Sequence, residues 1–200
     1  MRLLSEGVTS TIVNLKAFDY LLSDNIERRF VANTICFAGD LRKSGFLEDL
    51  GMQDIPYHLN LYGAYNPHIS NENIVYKGKF EPDDISFLEG EWGLLWDGTS
   101  CNTCNGNFGE YLRIICPHKL SLYIASKLLI IAWSESAMAK FVLGNGIGIV
   151  IDDLSEIPEK LQAISPEDKK KMRCKIEILS MNLRKGNMFL NALKTAETLI

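Results

Sequence analysis

From Asn33 onward, short and nearly continuous apolar runs alternate with amphipathic segments of helix length, and this alternation is how a parallel α/β sheet is written in sequence. The runs are Thr34–Ala38 (TICFA), Tyr57–Tyr62 (YHLNLY), Ile74–Lys77 (IVYK), Trp92–Trp96 (WGLLW), Leu129–Trp133 (LIIAW) and Gly148–Ile151 (GIVI). Strands that are apolar on both sides must be covered on both sides, so the pattern predicts about six parallel strands with helices on both faces and excludes an antiparallel sandwich. With 200 residues, 46% of them hydrophobic, the chain can bury one sizeable core.

The helices between the strands have readable ends. Glu81-Pro82-Asp83-Asp84 places proline and acids in a first turn ahead of ISFLEG, and Gly90 can stop that helix. Pro117 opens HKLSLYIASK, and Ser134 can cap ESAMAKFVLGNG, which closes on Gly144-Asn145-Gly146. A final helix pair covers Pro166–Leu183 and Asn187–Thr198, broken at Gly186. Residues 1–32 stand outside the alternation and read as a helical lead-in. The expected organisation is therefore a lead-in over 1–32, a Rossmann-like domain over 33–164 and C-terminal helices over 165–200.

There are 21 Lys and Arg against 25 Asp and Glu, a net charge of −4. That balance, with the apolar share, argues against disorder and against a broadly basic surface for nucleic acid. Any bound anion must be held locally. The amino terminus has no apolar core long enough for a secretory signal. The longest apolar stretch, Leu120 to Trp133, contains Lys127 and falls short of the roughly 20 residues that span a bilayer. Five cysteines at irregular spacing fit a reducing compartment. These features together predict a cytoplasmic protein.

Two loops carry candidate chemistry. Gly39-Asp40-Leu41-Arg42-Lys43-Ser44-Gly45 directly follows the first strand. Ligands of open parallel sheets sit beyond the carboxyl ends of the strands, so Arg42 and Lys43 are placed to grip phosphate there; the alternative is a solvated basic turn. The second loop, Trp96 to Tyr111, is rich in Gly and Asn and reads as a mobile flap. It leads to Pro117-His118-Lys119-Leu120-Ser121, a helix start whose free N–H groups suit an anion, with Lys119 adding a full charge and Ser121 a hydroxyl. A lysine in a first turn opposes the helix dipole, a mild cost that a bound diphosphate would offset.

Cys101, Cys104, Cys116 and His118 contain four ligand types for zinc, but the pairs are close together and Cys-x-His is an unusual second pair. The expectation is therefore free thiols, no metal and no cofactor. Tyr62, Tyr65 and Tyr76 fall at strand ends near the crevice, where one can stack on a nucleobase, although such tyrosines commonly just pack. His58 and His68 have no partners at a recognisable spacing and read as structural.

The succession FAGDLRKSGFL, LNLYG, VYKGKFEPDDI, WGLLWDG, GEYLRIICPHKLSLYIASKLLIIAW and AKFVLGNGIGIVIDDL resembles the carboxyl-terminal half of bacterial two-domain (GT-B type) glycosyltransferases. The nearest groups are the β-1,6-galactofuranosyltransferases of surface polysaccharide synthesis and the glucosyltransferases acting on serine-rich-repeat adhesins. The resemblance runs from about Asn14 to the end. It implies a domain that binds a nucleotide diphosphate sugar, expected to be a UDP sugar, opposite an amino-terminal domain. Arg42 and Lys43 then match the cationic donor loop, Asp97 and Gly98 the WDG turn, and Pro117, His118 and Lys119 the diphosphate turn. NLKAFDYLL looks like the segment joining the two halves, and the final helices like those crossing back to the first domain. Cys116 stands where the family has Asn, and Ser126-Lys127-Leu128-Leu129 replaces a small-Gly-x-Pro turn. The residue eight after Glu110 is His118, so the spaced Glu pair of many retaining enzymes is missing and stereochemistry is not assigned.

The function implied is transfer of a hexosyl group, galactofuranose or glucose, to a glycan or glycoprotein acceptor. The competing reading is a non-enzymatic or degenerate module that binds nucleotide sugar or self-associates. Neither calls for a transmembrane segment, and both leave peripheral membrane association and homo-oligomerisation open. Generic nucleotide binding with other chemistry loses ground because neither GxGxxG nor a Walker pattern is present.

Overall fold

A computed structural model describes residue 7 and residues 11–22, 28–81 and 83–199. Six strands form one parallel sheet: β1 (Thr34–Ala38), β2 (His58–Tyr62), β3 (Ile74–Gly78), β4 (Trp92–Leu95), β5 (Leu129–Trp133) and β6 (Gly148–Ile151). Their order is β3-β2-β1-β4-β5-β6, so the winding direction reverses between β1 and β4. This is the expected doubly wound sheet, and its crevice opens at that reversal. Every residue of β1, β4 and β5 is buried, which accounts for their unbroken apolar character.

Seven α-helices are described: α1 (Phe46–Gly51), α2 (Gly106–Leu112), α3 (His118–Ala125), α4 (Ala139–Asn145), α5 (Ile157–Gln162), α6 (Pro166–Arg184) and α7 (Asn187–Glu197). α6 starts as its sequence indicates: Ser165 accepts from the Asp168 N–H at 3.1 Å, and Pro166 follows. Gly186, at φ +79, then turns the chain into α7.

The core centres on α3 and the strands beneath it. β1 and β4 pair only at Ile35 with Trp92 and Cys36 with Gly93, and they separate toward their carboxyl ends. The fully buried Tyr123 of α3 fills the gap. Its hydroxyl accepts from the Ala38 N–H at 2.9 Å and donates to the Leu94 carbonyl at 3.3 Å. The opposite end of α3 is held by Arg28, whose guanidinium donates to the carbonyls of Ser126, Lys127, Gly90 and Arg29. Cationic groups at a helix carboxyl end satisfy its orphan carbonyls.

Four sequence expectations need correction. No helix occurs in the lead-in among the described residues 11–22 and 28–32; the remainder of residues 1–32, apart from residue 7, lies outside them. The described lead-in is an irregular strap whose backbone bonds to the domain: Phe18 N–H to Ser121 Oγ and Tyr20 N–H to the Leu183 carbonyl. ISFLEG forms one 3-10 turn, Ile85–Phe87, where Asp84 takes both the N–H and the hydroxyl of Ser86 in a local turn that competes with helix. α4 starts at Ala139 and not after Ser134, whose hydroxyl is bonded to Asp152. Finally, the Gly/Asn-rich stretch, read as a loop with little to bury, contains α2 and buries Cys101 and Cys104.

Candidate functional site

A cavity of about 460 Å³ lies beyond the carboxyl ends of β1 and β2. Ala38, Gly39, Tyr62, Gly63 and Ala64 form its floor, Lys79 and Phe80 follow β3 into it, and His118, Lys119 and Leu122 line it from α3. Tyr20 reaches it from the strap, and burial there pushes its phenol pKa upward, with a smaller contribution from the Asp83 charge. The cavity therefore sits where open α/β sheets take ligands, against the start of a helix.

Lys119 is the best-fixed cation at the site. Its ammonium donates to Asp97 Oδ2 at 2.9 Å and to the Trp96 carbonyl at 3.1 Å, and lies 4.6 Å from the Phe37 ring centroid. Lys119 and Asp97 side chains are only 16% and 21% exposed, so this pair is held far more firmly than a surface ion pair. The turn carrying Asp97 depends on Gly98, at φ +112, where a Cβ would stand 2.6 Å from the Asn105 carbonyl oxygen. Asn105 in turn accepts the Thr99 N–H at 2.7 Å.

Pro117 precedes α3 in extended conformation and its carbonyl accepts the Leu120 N–H at 3.0 Å, which leaves the N–H groups of His118 and Lys119 as the first-turn donors without an acceptor inside the helix. The His118 ring stacks on Phe18, with centroids 4.7 Å apart and planes 16° from parallel. Ser121 is fully buried and its hydroxyl is taken by the Phe18 N–H, so it serves the strap. Arg42 and Lys43 do not line the cavity. Arg42 forks onto Asp40 at 3.0 and 3.2 Å, which holds that carboxyl below its usual range, while Lys43 lies 5.0 Å from the Phe108 ring centroid. Their loop nonetheless adjoins the Asp97 turn, because the Phe46 N–H donates to the Gly98 carbonyl at 3.2 Å.

Of the three tyrosines, only Tyr62 lines the cavity. Its hydroxyl accepts from the Glu89 N–H at 2.8 Å, and its ring meets Phe80 edge-on. Tyr76 donates to the Gly63 carbonyl at 2.8 Å, and Tyr65 is half exposed. His58 and His68 are both exposed. Among the described residues, no three His, Cys, Asp or Glu side chains are gathered closely enough to hold a metal. Burial pushes the thiols of Cys101 and Cys116 up to about 11 and that of Cys104 to about 12, which disfavours the thiolate that zinc requires.

Tyr20, Gly63, Ala64, Lys79, Phe80 and Leu122 are among the lining residues that sequence reasoning missed. Lys79 and Phe80 had a signal, since they directly follow a strand, whereas Tyr20 reaches the cavity only by tertiary folding. A second cavity, of about 240 Å³, lies at the opposite end of the sheet beside Arg28, Glu91 and Arg173. There Glu91 is paired with Arg173 at 2.6 Å and Lys169 at 3.2 Å.

The sequence profile of the family described as Glucosyltransferase 3-like, C-terminal domain, matches residues 35–196. The chain belongs to this family. It is 32% identical over 191 residues to the beta-1,6-galactofuranosyltransferase WbbI of Escherichia coli (strain K12), covering 92% of this chain and 56% of that protein. It is 24% identical over 155 residues to glucosyltransferase 3 of Streptococcus parasanguinis, covering 76% of this chain and 43% of that protein. The chain thus spans about half the length of the curated relatives it matches. Among solved structures, sucrose-phosphate synthase from Thermosynechococcus elongatus superposes at a TM-score of 0.52 with 15% identity, over 93% of this chain and 50% of the other. A T4 phage BGT mutant in complex with UDP-glucose superposes at 0.53 with 15% identity, over 89% and 51%. These structural likenesses show a shared fold, and the family match is what makes it a Glucosyltransferase 3-like C-terminal domain. Among the described residues no helix is long and apolar enough to cross a membrane.

Proposed function

We propose that this Glucosyltransferase 3-like domain binds a nucleotide diphosphate sugar, a UDP sugar, as the donor half of a hexosyltransferase acting on a glycan or glycoprotein. The observation that carries this reading is Lys119, fixed at the start of α3 and lining the cavity beyond β1 and β2. Two relatives are named as a galactofuranosyltransferase and a glucosyltransferase, and one structural neighbour is described as a complex with UDP-glucose, which supports the same class of donor.

In the reaction, an acceptor hydroxyl attacks the anomeric carbon while giving its proton to a base held with the acceptor or to water, and the bond to the diphosphate oxygen breaks. Negative charge grows on the leaving diphosphate. The His118 and Lys119 N–H groups at the start of α3 and the Lys119 ammonium are preorganised to stabilise that charge, and Lys79 lines the same cavity from the end of β3. Arg42 and Lys43 can add to this only by letting go of Asp40 and crossing from the adjoining loop. A further domain, supplied by the same or another chain, would hold the acceptor. The reading places the protein in the cytoplasm, where nucleotide sugars are made.

The test is a thermal-shift panel of UDP, UDP-glucose, UDP-galactose and UDP-galactofuranose against GDP and ADP. A ligand at 100 times its Kd adds about 2.7 kcal/mol of stability. Stabilisation by uridine nucleotides alone is expected; equal stabilisation by all, or by none, overturns the proposal.

A further inference from the structure

Phe18, Asp19 and Tyr20, three consecutive residues of the strap, each bind a different part of the helical layer. Phe18 holds the start of α3 twice, by its ring on His118 and by its N–H on Ser121 Oγ at 3.0 Å. Asp19 caps α7: its two carboxylate oxygens accept the N–H groups of Met188 at 3.0 Å and Phe189 at 2.8 Å. Tyr20 donates its N–H to the Leu183 carbonyl, in the last turn of α6, at 3.2 Å, and its side chain lines the cavity.

The cap on α7 is unusual in its source. Gly186 occupies the capping position and offers no side chain, so a residue nearly the whole chain away supplies the acceptors. α7 has no fully buried residue, and at its amino end Met188 is only partly buried against the core, so the Asp19 cap is a main fixed point of that end. The bond to α7 and the bond to α3 are made by adjacent residues of the strap. A shift of one peptide unit at Asp19 therefore moves the Phe18 ring and N–H that pin the anion-binding turn.

We propose that residues 18–20 couple the seating of α7 to the geometry of the α3 start, so that Asp19, which does not line the cavity, is a positioning residue for donor binding. The proposal rests on the donor-site reading above. It also makes a prediction opposite in sign to simple electrostatics. Deleting a carboxylate lessens the repulsion of an anionic ligand and would tighten UDP binding. Deleting the link loosens the turn and weakens it.

The experiment uses the full chain as wild type, Asp19→Ala, Asp19→Asn, Phe18→Leu and the Phe18→Leu/Asp19→Ala double variant. UDP affinity is measured by calorimetry, and amide hydrogen exchange is followed at residues 118–120 and 187–190 without ligand. Asp19→Ala is expected to weaken UDP roughly fivefold or more, the low end of measured coupling between sites. It should also speed exchange in both segments. Asp19→Asn, which keeps one acceptor, should fall between wild type and Asp19→Ala. In the Phe18→Leu background, Asp19→Ala should change the affinity less than it does in wild type, because the ring contact on His118, one of the two Phe18 contacts, is already lost. Exchange that rises only at 187–190 with UDP affinity unchanged would make Asp19 a local cap and overturn the coupling, as would tighter UDP binding. If wild type binds no UDP, the donor reading falls, and exchange at 118–120 alone decides the coupling.

Discussion

Tyr123 packs so closely against Gly93 that a Cβ at position 93 would stand 2.4 Å from the ring. This contact lets the tyrosine lie between β1 and β4, where the two strands part at the reversal of the sheet. Gly93→Ala should therefore displace the ring and cost roughly 1–3 kcal/mol of stability or more, as overpacking of a tight core does. Tyr123→Phe should keep the packing but strand the Ala38 N–H, again at roughly 1–3 kcal/mol. Urea unfolding of the two variants checks both values; wild-type stability in either would show that the gap at the crevice is not closed this way.

Glu91 gives a pH dependence with a defined sign. It is almost fully buried, and desolvation alone would raise its pKa, yet the hydrogen bond from Arg173, the Lys169 charge and the Asn33 N–H together hold it below its ordinary value of 4.5. A carboxyl lowered on folding contributes stability that is fully present above its unfolded pKa and disappears as pH falls through the folded one. Glu91→Gln should cost roughly 1.5–3 kcal/mol at pH 7, the worth of hydrogen bonds to charged groups. The gap between variant and wild type should close as the pH drops below about 4. Thermal melts from pH 7 to pH 3 measure this; a constant gap would refute it.

Cysteine reactivity should be uneven. Cys174 is exposed, whereas burial pushes the Cys36 and Cys104 thiols up to about 12 and those of Cys101 and Cys116 to about 11. A thiol reagent at pH 7.5 should modify Cys174 quickly, the partly exposed Cys116 more slowly and the three buried thiols only as the protein opens, since the thiolate is the reacting form. Peptide mapping at short times reads this out. A chelator should leave the melting temperature unchanged.

The strands were legible because burial on both faces forces continuous apolar runs, and β1, β5 and β6 have the bounds that the sequence suggests. The strap was not legible, because the groups satisfying its backbone, Ser121 and Leu183, lie more than 100 residues away. In the site, Lys119 was visible as a cation at a helix start, but its pairing with Asp97 depends on a turn set by Gly98 and Asn105. The local partner of Arg42 was visible in principle: Asp40 stands two residues before it, in a capping position that accepts the Arg42 N–H. That proximity explains why the basic loop folds onto its own acid instead of into the cavity.

Lys119 is the residue on which donor binding should turn. Lys119→Ala removes the ammonium beside the α3 start and leaves Asp97 largely buried without its partner, so UDP should bind more weakly by roughly 1.5–3 kcal/mol, or about 10- to 150-fold. Lys119→Arg should recover only part of the loss, since a planar fork cannot replace a compact ammonium held between a carboxylate and a carbonyl. Lys160 is the control. It bonds the Val150 carbonyl at 2.9 Å and Glu156 at 2.9 Å, at the β6 edge and away from the cavity lining. Lys160→Ala should lower stability slightly and leave UDP affinity unchanged. The 200-residue chain alone should bind donor or hydrolyse it slowly, without efficient transfer, because the acceptor is proposed to be held by a further domain. Equal UDP affinity of wild type and Lys119→Ala in calorimetry, or rapid glycosyl transfer by this chain unaided, would refute that division of labour.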